Sequence, residues 1–120
     1  MTPSSLRVAD YLNHILEAIR RVREYTQGLS EQDFYSNHLI QDAVIRNFEI
    51  MGEAARNAER RGKDQLELQD KLRLFREVYW MRNVLTHGYF QINLSIVWNA
   101  IQGDIGNLEQ EIQEVLDGIK

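Results

Sequence analysis

The 120-residue chain has no cysteine, a single proline and only seven glycines. Without cysteine it can form neither a disulfide nor a thiolate metal site, which favours a reducing compartment. The scarcity of proline and glycine leaves few breaks, so long helices are favoured over many short strands. No apolar run approaches the roughly 18 residues that span a bilayer, and the first residues lack the apolar segment of a secretory signal. We therefore expect a cytoplasmic protein with no membrane-bound part.

The charge of the chain is distributed unevenly. The net charge is -4, which argues against broad nucleic-acid binding through a basic surface. Acidic and basic residues balance up to Tyr89, and the excess of acids follows it. Arginine clusters at 20–23 and 56–61 could meet an anionic ligand, although solvated helix faces are the favoured interpretation. The length suits one domain with its own core, spanning residues 1–120.

Apolar residues recur at helical spacing in four segments, which predicts an all-α protein. The first helix is expected from about Ser5 to Gln27 and the second over 39–62. The third is expected from Asp64 or Leu66 to Leu85, and the fourth from a cap at Asn93 through Val115. Each contributes an inward stripe: Leu12, Ile15, Leu16, Ile19 and Val22; Ile40, Val44, Phe48, Met51 and Ala55; Leu68, Leu72, Phe75, Val78 and Tyr79; Ile96, Val97, Ala100, Ile101, Ile105, Leu108, Ile112 and Val115.

Short links between these helices predict an antiparallel four-helix bundle. Ser30 and Asp33 have the spacing of a capping box and predict a short extra helical turn between the first two helices. Gly52, with Ala54 and Ala55, forms a small patch that would let another helix approach closely. Gly103 and Gly106 each cost the fourth helix about 1 kcal/mol relative to alanine, so we expect a bend there.

Polar residues interrupt the apolar pattern at "MRNVLTHGYF", residues 81–90. Arg82 and His87 are about 140° apart on an ideal helix, so they converge only if the helix ends between them. Gly88 can take the left-handed conformation that closes a helix. Arginine suits phosphate oxygens, and histidine exchanges protons near neutral pH. The pair therefore suits metal-independent RNA cleavage, in which the 2′-hydroxyl attacks the adjacent phosphorus.

Two features of this interpretation stay open. Cleavage needs two proton-transfer groups, and a twofold dimer with facing motifs would supply the second histidine. A structural role, in which Arg82 and His87 interact with the terminal carbonyls and dipole of the helix, is favoured by the spacing alone.

Metal and cofactor sites are not expected. His14, His38 and His87 are scattered, and no metal-ligand motif or glycine-rich phosphate loop is present. His14 lies between core positions and is better assigned to the flank of its helix than to a ligand set. Trp80 and Trp98 are assigned to packing within the bundle or at an interface.

The motif resembles the R-x4-H-x-Y signature of HepT-like proteins, a family of the HEPN superfamily once catalogued as domain of unknown function 86. Three further blocks also resemble the helices of that family, in the same order: 11–30, 41–57 and 94–101. One departure lies in the link before the third helix, where many relatives carry proline and tryptophan. This chain has no proline there and places Trp80 just before Arg82.

The resemblance implies a HEPN-like bundle that forms a twofold dimer and acts as the toxin of a type VII toxin–antitoxin pair. Its partner would be a MntA-type nucleotidyltransferase and its substrate RNA. Arg82 and His87 would be catalytic, with Asn83 and Glu53 as supporting residues. Glu53 would orient Arg82 by an ion pair, unless it is simply a solvated glutamate. Tyr89 would be the hydroxyl that receives AMP.

Two other interpretations remain beside the ribonuclease toxin. The chain could be a non-catalytic HEPN module that binds a nucleotidyltransferase or a nucleotide, with Arg82 and His87 holding phosphate. It could also be a plain dimerising bundle.

Overall fold

A computed structural model describes residues 4–86 and 92–119, except for the side chains of residues 4–6. This part of the chain contains no β-strand and is almost entirely helical. The first half contains three helices: α1 (Ser4–Thr26), α2 (Glu31–Ser36) and α3 (His38–Gly62). Gly28 joins α1 to α2 with φ of 78°, a conformation that glycine adopts at no steric cost.

The second half contains α4 (Leu72–Thr86), α5 (Leu94–Asn99) and α6 (Ile105–Ile119). A 3-10 segment, Leu66–Lys71, leads into α4, and a π-helical segment, Ala100–Asp104, joins α5 to α6. The stretch from α5 through α6 is therefore one continuous helical segment. The predicted four-helix bundle with a short extra helix is confirmed. None of the described helices is both long enough and apolar enough to cross a membrane.

Side-chain caps fix where several helices begin. The Ser30 hydroxyl accepts a hydrogen bond from the Asp33 amide, and the Asp33 carboxylate accepts one from the Ser30 amide, each at 3.1 Å. The predicted capping box is thus confirmed. Asn93 caps α5 by accepting from the Ile96 amide at 3.2 Å, also as predicted. Asn37 caps α3 in the same way.

The core lies along α1, which packs against α3 and α6, while α4 packs against α3. Most of the predicted inward positions are buried. Leu16, Ile40 and Tyr79 are only half-buried, and Ile96 is 43% exposed, so its assignment to the core was wrong. The next two residues of α5 take the inward positions instead.

The short helix α2 contributes to the core through one side chain. Phe34 is fully buried, and its ring centroid lies 5.5 Å from that of Trp98 on α5. The assignment of Trp98 to bundle packing is therefore confirmed. Trp80, in contrast, is 67% exposed in the single chain.

The link between α3 and α4 differs from the prediction, because residues 66–71 form a 3-10 segment and not the first turns of an α-helix. No side chain caps this segment at Gln65. The Gln69 amide instead donates to the carbonyls of Lys63 (2.7 Å) and Gln65 (2.9 Å). The bond to Lys63 satisfies a carbonyl at the end of α3, and the bond to Gln65 ties the 3-10 segment to the residue just before it.

Candidate functional site

Arg82 lies in the last part of α4, where α4 crosses closely over α3. Its side chain is half-buried against Gly52. A methyl group added to Gly52 would lie 2.5 Å from Arg82 Cγ and 2.6 Å from Arg82 Cβ, so only glycine fits beneath this arginine. The predicted small patch is confirmed as a place of close helix approach.

Two neighbours on α4 hold the guanidinium group. Arg82 Nε donates a hydrogen bond to Asn83 Oδ1 at 2.8 Å. Arg82 Cζ lies 4.9 Å from the centroid of the Tyr79 ring, within range of a cation–π interaction. No carboxylate among the described residues forms an ion pair with Arg82, so its charge is available to an anion.

Tyr79 links Arg82 to a second arginine. Its hydroxyl accepts a hydrogen bond from Arg56 Nη1 at 3.3 Å, and Arg56 Cζ lies 5.4 Å from the ring centroid. A hydrogen bond from Asn83 and then the positive charge of Arg56 lower the pKa of Tyr79, and Arg82 adds to the effect. The sequence had marked Tyr79 only as a core residue. Tyr79 precedes Arg82 by three residues, and this spacing, which places two side chains on one face of a helix, was the signal in the sequence for their contact.

The predicted ion pair between Glu53 and Arg82 is not formed. Glu53 follows Gly52 on α3, is exposed and lines the same cleft as Arg82. Arg82 Nε donates instead to Asn83, the next residue of the helix. A supporting role for Glu53 stays a prediction. In that role the Glu53 carboxylate would contact a ligand bound in the cleft.

His87 and Tyr89 lie outside the described residues, as does Gly88. The described part of α4 ends at Thr86, whose hydroxyl donates to the Arg82 carbonyl at 2.9 Å. The assignment of His87 as catalytic and that of Tyr89 as the AMP acceptor therefore stay predictions.

A cleft of about 550 Å³ lies between α1 and α3 and has Arg82 of α4 in its lining. It is lined by residues of three helices: Tyr11, His14, Arg46, Glu49, Ile50, Glu53, Ala54, Asn57 and Arg82. His14 is exposed, as expected for a flank residue, yet it shares this cleft with Arg82. The 3-residue spacing of Tyr11 and His14 on one face of α1 was the only hint in the sequence.

The described residues include no group of three or more histidine, cysteine, aspartate or glutamate side chains placed to hold a metal ion. The chemistry offered by the cleft is that of arginine, histidine and tyrosine beside two glutamates. Such groups suit the binding of a phosphorylated ligand.

Comparison with known proteins places the chain among ribonuclease-like relatives. The family model described as "Ribonuclease HepT-like" matches residues 15–115. A Thermococcus cleftensis protein named "Probable ribonuclease HepT" is 33% identical over 88% of this chain and 93% of its own length. A Caldanaerobacter subterraneus protein, named as a proposed RNase, is 35% identical over 88% of this chain and 91% of its own.

A longer relative from Methanocaldococcus jannaschii is named as both a gamma-glutamylcyclotransferase and a proposed RNase. It is 38% identical over 89% of this chain, which spans 46% of that protein. Among solved structures, the tri-AMPylated Shewanella oneidensis HEPN toxin in complex with MNT antitoxin superposes with a TM-score of 0.63. The alignment covers 96% of this chain and 98% of the toxin at 21% identity, which shows a shared fold.

Proposed function

The chain belongs to the HepT-like family, and we propose that it is a metal-independent endoribonuclease acting in the cytoplasm as the toxin of a toxin–antitoxin pair. The observation that carries this proposal is the placement of Arg82. The residue that heads the motif lies on Gly52, is held by Asn83 and Tyr79, and has no carboxylate partner among the described residues. It is thus positioned on rigid helices with its charge available.

We propose that cleavage follows the 2′-hydroxyl route. His87 takes the proton of the 2′-hydroxyl, the oxygen attacks the adjacent phosphorus, and the bond to the 5′-oxygen breaks. The products are a 2′,3′-cyclic phosphate and a 5′-hydroxyl, the latter protonated by a second acid. Arg82 stabilises the negative charge that builds on the phosphoryl oxygens. Its planar fork suits that role better than a lysine would.

A second copy of the chain would supply the second acid. Trp80 is 67% exposed and Val84 is 52% exposed, one turn apart on the outer face of α4. The opposite face of α4 carries Phe75 and Val78 into the core. An exposed apolar pair on the helix that carries Arg82 supports a twofold dimer that brings two motifs together.

The dimer predicts a clear effect for Trp80→Glu. A charge at the centre of the proposed interface should yield a monomer at micromolar concentration in sedimentation velocity, with RNA cleavage reduced at least tenfold. Leu66→Glu is the matched control because Leu66 is 87% exposed in the 3-10 segment at the far end of α4. It should leave the dimer intact. A dimer that survives Trp80→Glu would place the interface elsewhere.

We further propose that a MntA-type nucleotidyltransferase is the antitoxin and that it transfers AMP to Tyr89. The Shewanella toxin that shares the fold is AMPylated and in complex with an MNT antitoxin. A bulky anion on Tyr89, two residues from His87, would occupy the place of the RNA phosphate and repel it.

Growth arrest on expression without the nucleotidyltransferase tests the toxin proposal. Wild-type protein should stop growth, and His87→Ala should relieve the arrest at equal protein level. The alternative is a non-catalytic module in which Arg82 and the cleft hold phosphate without cleaving it. Unchanged growth with the wild-type protein, unmodified at Tyr89 by mass spectrometry, would favour that module.

A further inference from the structure

We propose that the cleft between α1 and α3 is a substrate subsite that holds one nucleotide of single-stranded RNA beside the phosphate that Arg82 contacts. The inference rests on the proposed ribonuclease function and adds residues of α1 and α3 to it. Arg46 and His14 are the central residues of this subsite.

The position of the cleft relates it to the reaction. Arg82 on α4 lines this cleft together with Tyr11 and His14 on α1. A second cleft of about 410 Å³ adjoins it, shares Tyr11 and His14, and continues to Arg7. A volume of about 550 Å³ lies in the range of small-ligand sites, about 300–1,000 Å³. A chain bound at Arg82 can therefore continue along this groove.

Arg46 provides a second positive group for the RNA backbone. It is exposed in the cleft, and among the described residues it forms no ion pair. In contrast, five arginines elsewhere on the bundle are paired with glutamates: Arg20, Arg21, Arg23, Arg73 and Arg76. Like Arg82, Arg46 has no ion-pair partner among the described residues, so both guanidinium groups can contact phosphates of one strand.

Tyr11 and His14 provide a surface for a base. Their ring centroids lie 6.1 Å apart with an interplanar angle of 81°, an edge-to-face arrangement. His14 is exposed, so its imidazole face is accessible to an unpaired base. Stacking on aromatic side chains is the usual way in which proteins hold bases of single-stranded RNA. A hydrogen bond from Arg7, with a smaller contribution from Arg61, lowers the pKa of the Tyr11 hydroxyl. Both arginines therefore add positive charge beside Tyr11.

The acidic residues of the cleft argue for one positioned nucleotide and against general binding of polyanions. Glu49 and Glu53 line the same cleft as Arg46 and Arg82, so the charges of these four side chains sum to zero. Carboxylates only accept hydrogen bonds, and the groups of RNA that suit them include the amino groups of bases. A phosphate beside each arginine and a base amino group at a glutamate would satisfy both kinds of residue.

Equilibrium binding tests the subsite independently of cleavage. The probe is a fluorescein-labelled single-stranded RNA with 2′-O-methyl groups throughout, which cannot undergo the proposed attack. By fluorescence anisotropy, Arg46→Gln should raise Kd about tenfold and reduce the slope of log Kd against log salt by about 0.7, as one lost phosphate contact would. His14→Ala should raise Kd about fivefold or more through lost stacking. With cleavable RNA, both variants should raise KM and leave kcat within about twofold.

Arg20→Gln is the matched control because Arg20 is an exposed arginine of α1 that is paired with Glu17 and Glu24 and lines neither cleft. It should bind like the wild type. Both cleft side chains are exposed, so circular dichroism and thermal melting should not change.

The outcomes separate the subsite from the ribonuclease. Unchanged Kd in Arg46→Gln and His14→Ala, with wild-type cleavage of RNA intact, would overturn the subsite alone. Weaker binding by both variants, with no cleavage by the wild type, would support the subsite and contradict the proposed catalysis. Absence of RNA binding by the wild type would overturn the subsite.

Discussion

Arg82→Ala is expected to lower RNA cleavage by about two to three orders of magnitude, the usual effect of removing one group that stabilises transition-state charge. The guanidinium is fixed by the hydrogen bond to Asn83 and by the Tyr79 ring, so it needs little reorganisation when a phosphate arrives. The change should be measured as kcat/KM on a defined RNA with the purified protein.

The activity of Arg82→Lys and the stability of Arg82→Ala are the two controls for this result. Arg82→Lys keeps the charge but loses both the planar fork and the Nε donor to Asn83, so it should still be at least tenfold less active. The free energy of unfolding of Arg82→Ala should fall by only about 1 kcal/mol, since the half-buried side chain loses one hydrogen bond and one cation–π contact. Retention of more than a tenth of the activity by Arg82→Ala would rule out Arg82 as the charge-stabilising group.

Gly52→Ala is expected to reduce cleavage by about ten- to a hundredfold without touching any residue of the motif. The added methyl would overlap Arg82 Cβ and Cγ, atoms too near the backbone to swing aside. The crossing of α3 and α4 must therefore open locally and displace Arg82, and displacements of about 1 Å at a reacting centre cost about a hundredfold. Overpacking typically costs about 1–3 kcal/mol, and the higher helix propensity of alanine offsets about 1 kcal/mol of that, so the variant should still fold.

Gly118→Ala is the matched control for Gly52→Ala. Gly118 is also helical, in α6, and an added methyl there meets no atom within 4 Å. This variant should cleave RNA like the wild type and should be slightly more stable. Full activity of Gly52→Ala would show that the close crossing of α3 and α4 does not position Arg82.

The sequence predicted the helices well because their signals are local. Apolar spacing located the four long helical segments of the bundle. The side chains of Ser30, Asp33 and Asn93 indicated where α2 and α5 begin. The 3-10 segment was missed because its start is held by the Gln69 side chain, which donates to the carbonyls of Lys63 and Gln65. A glutamine at that position carries no periodic signal.

The candidate site was predictable only in part. The motif and the family resemblance pointed to Arg82 and Asn83, and the small patch pointed to Gly52. The rest of the cleft was not predictable because it combines exposed polar residues of α1 and α3, more than 30 residues apart in sequence. On either helix alone, His14 and Arg46 are indistinguishable from a solvated face, and only the packing of α1 against α3 brings them to Arg82.

The most direct test of the central proposal is cleavage of RNA by the purified protein in excess EDTA, compared with His87→Ala under the same conditions. We expect the wild-type protein alone to cleave, leaving 2′,3′-cyclic phosphate ends that mass spectrometry identifies. Cleavage that stops in EDTA, or that continues in His87→Ala, would contradict a metal-independent mechanism centred on Arg82 and His87.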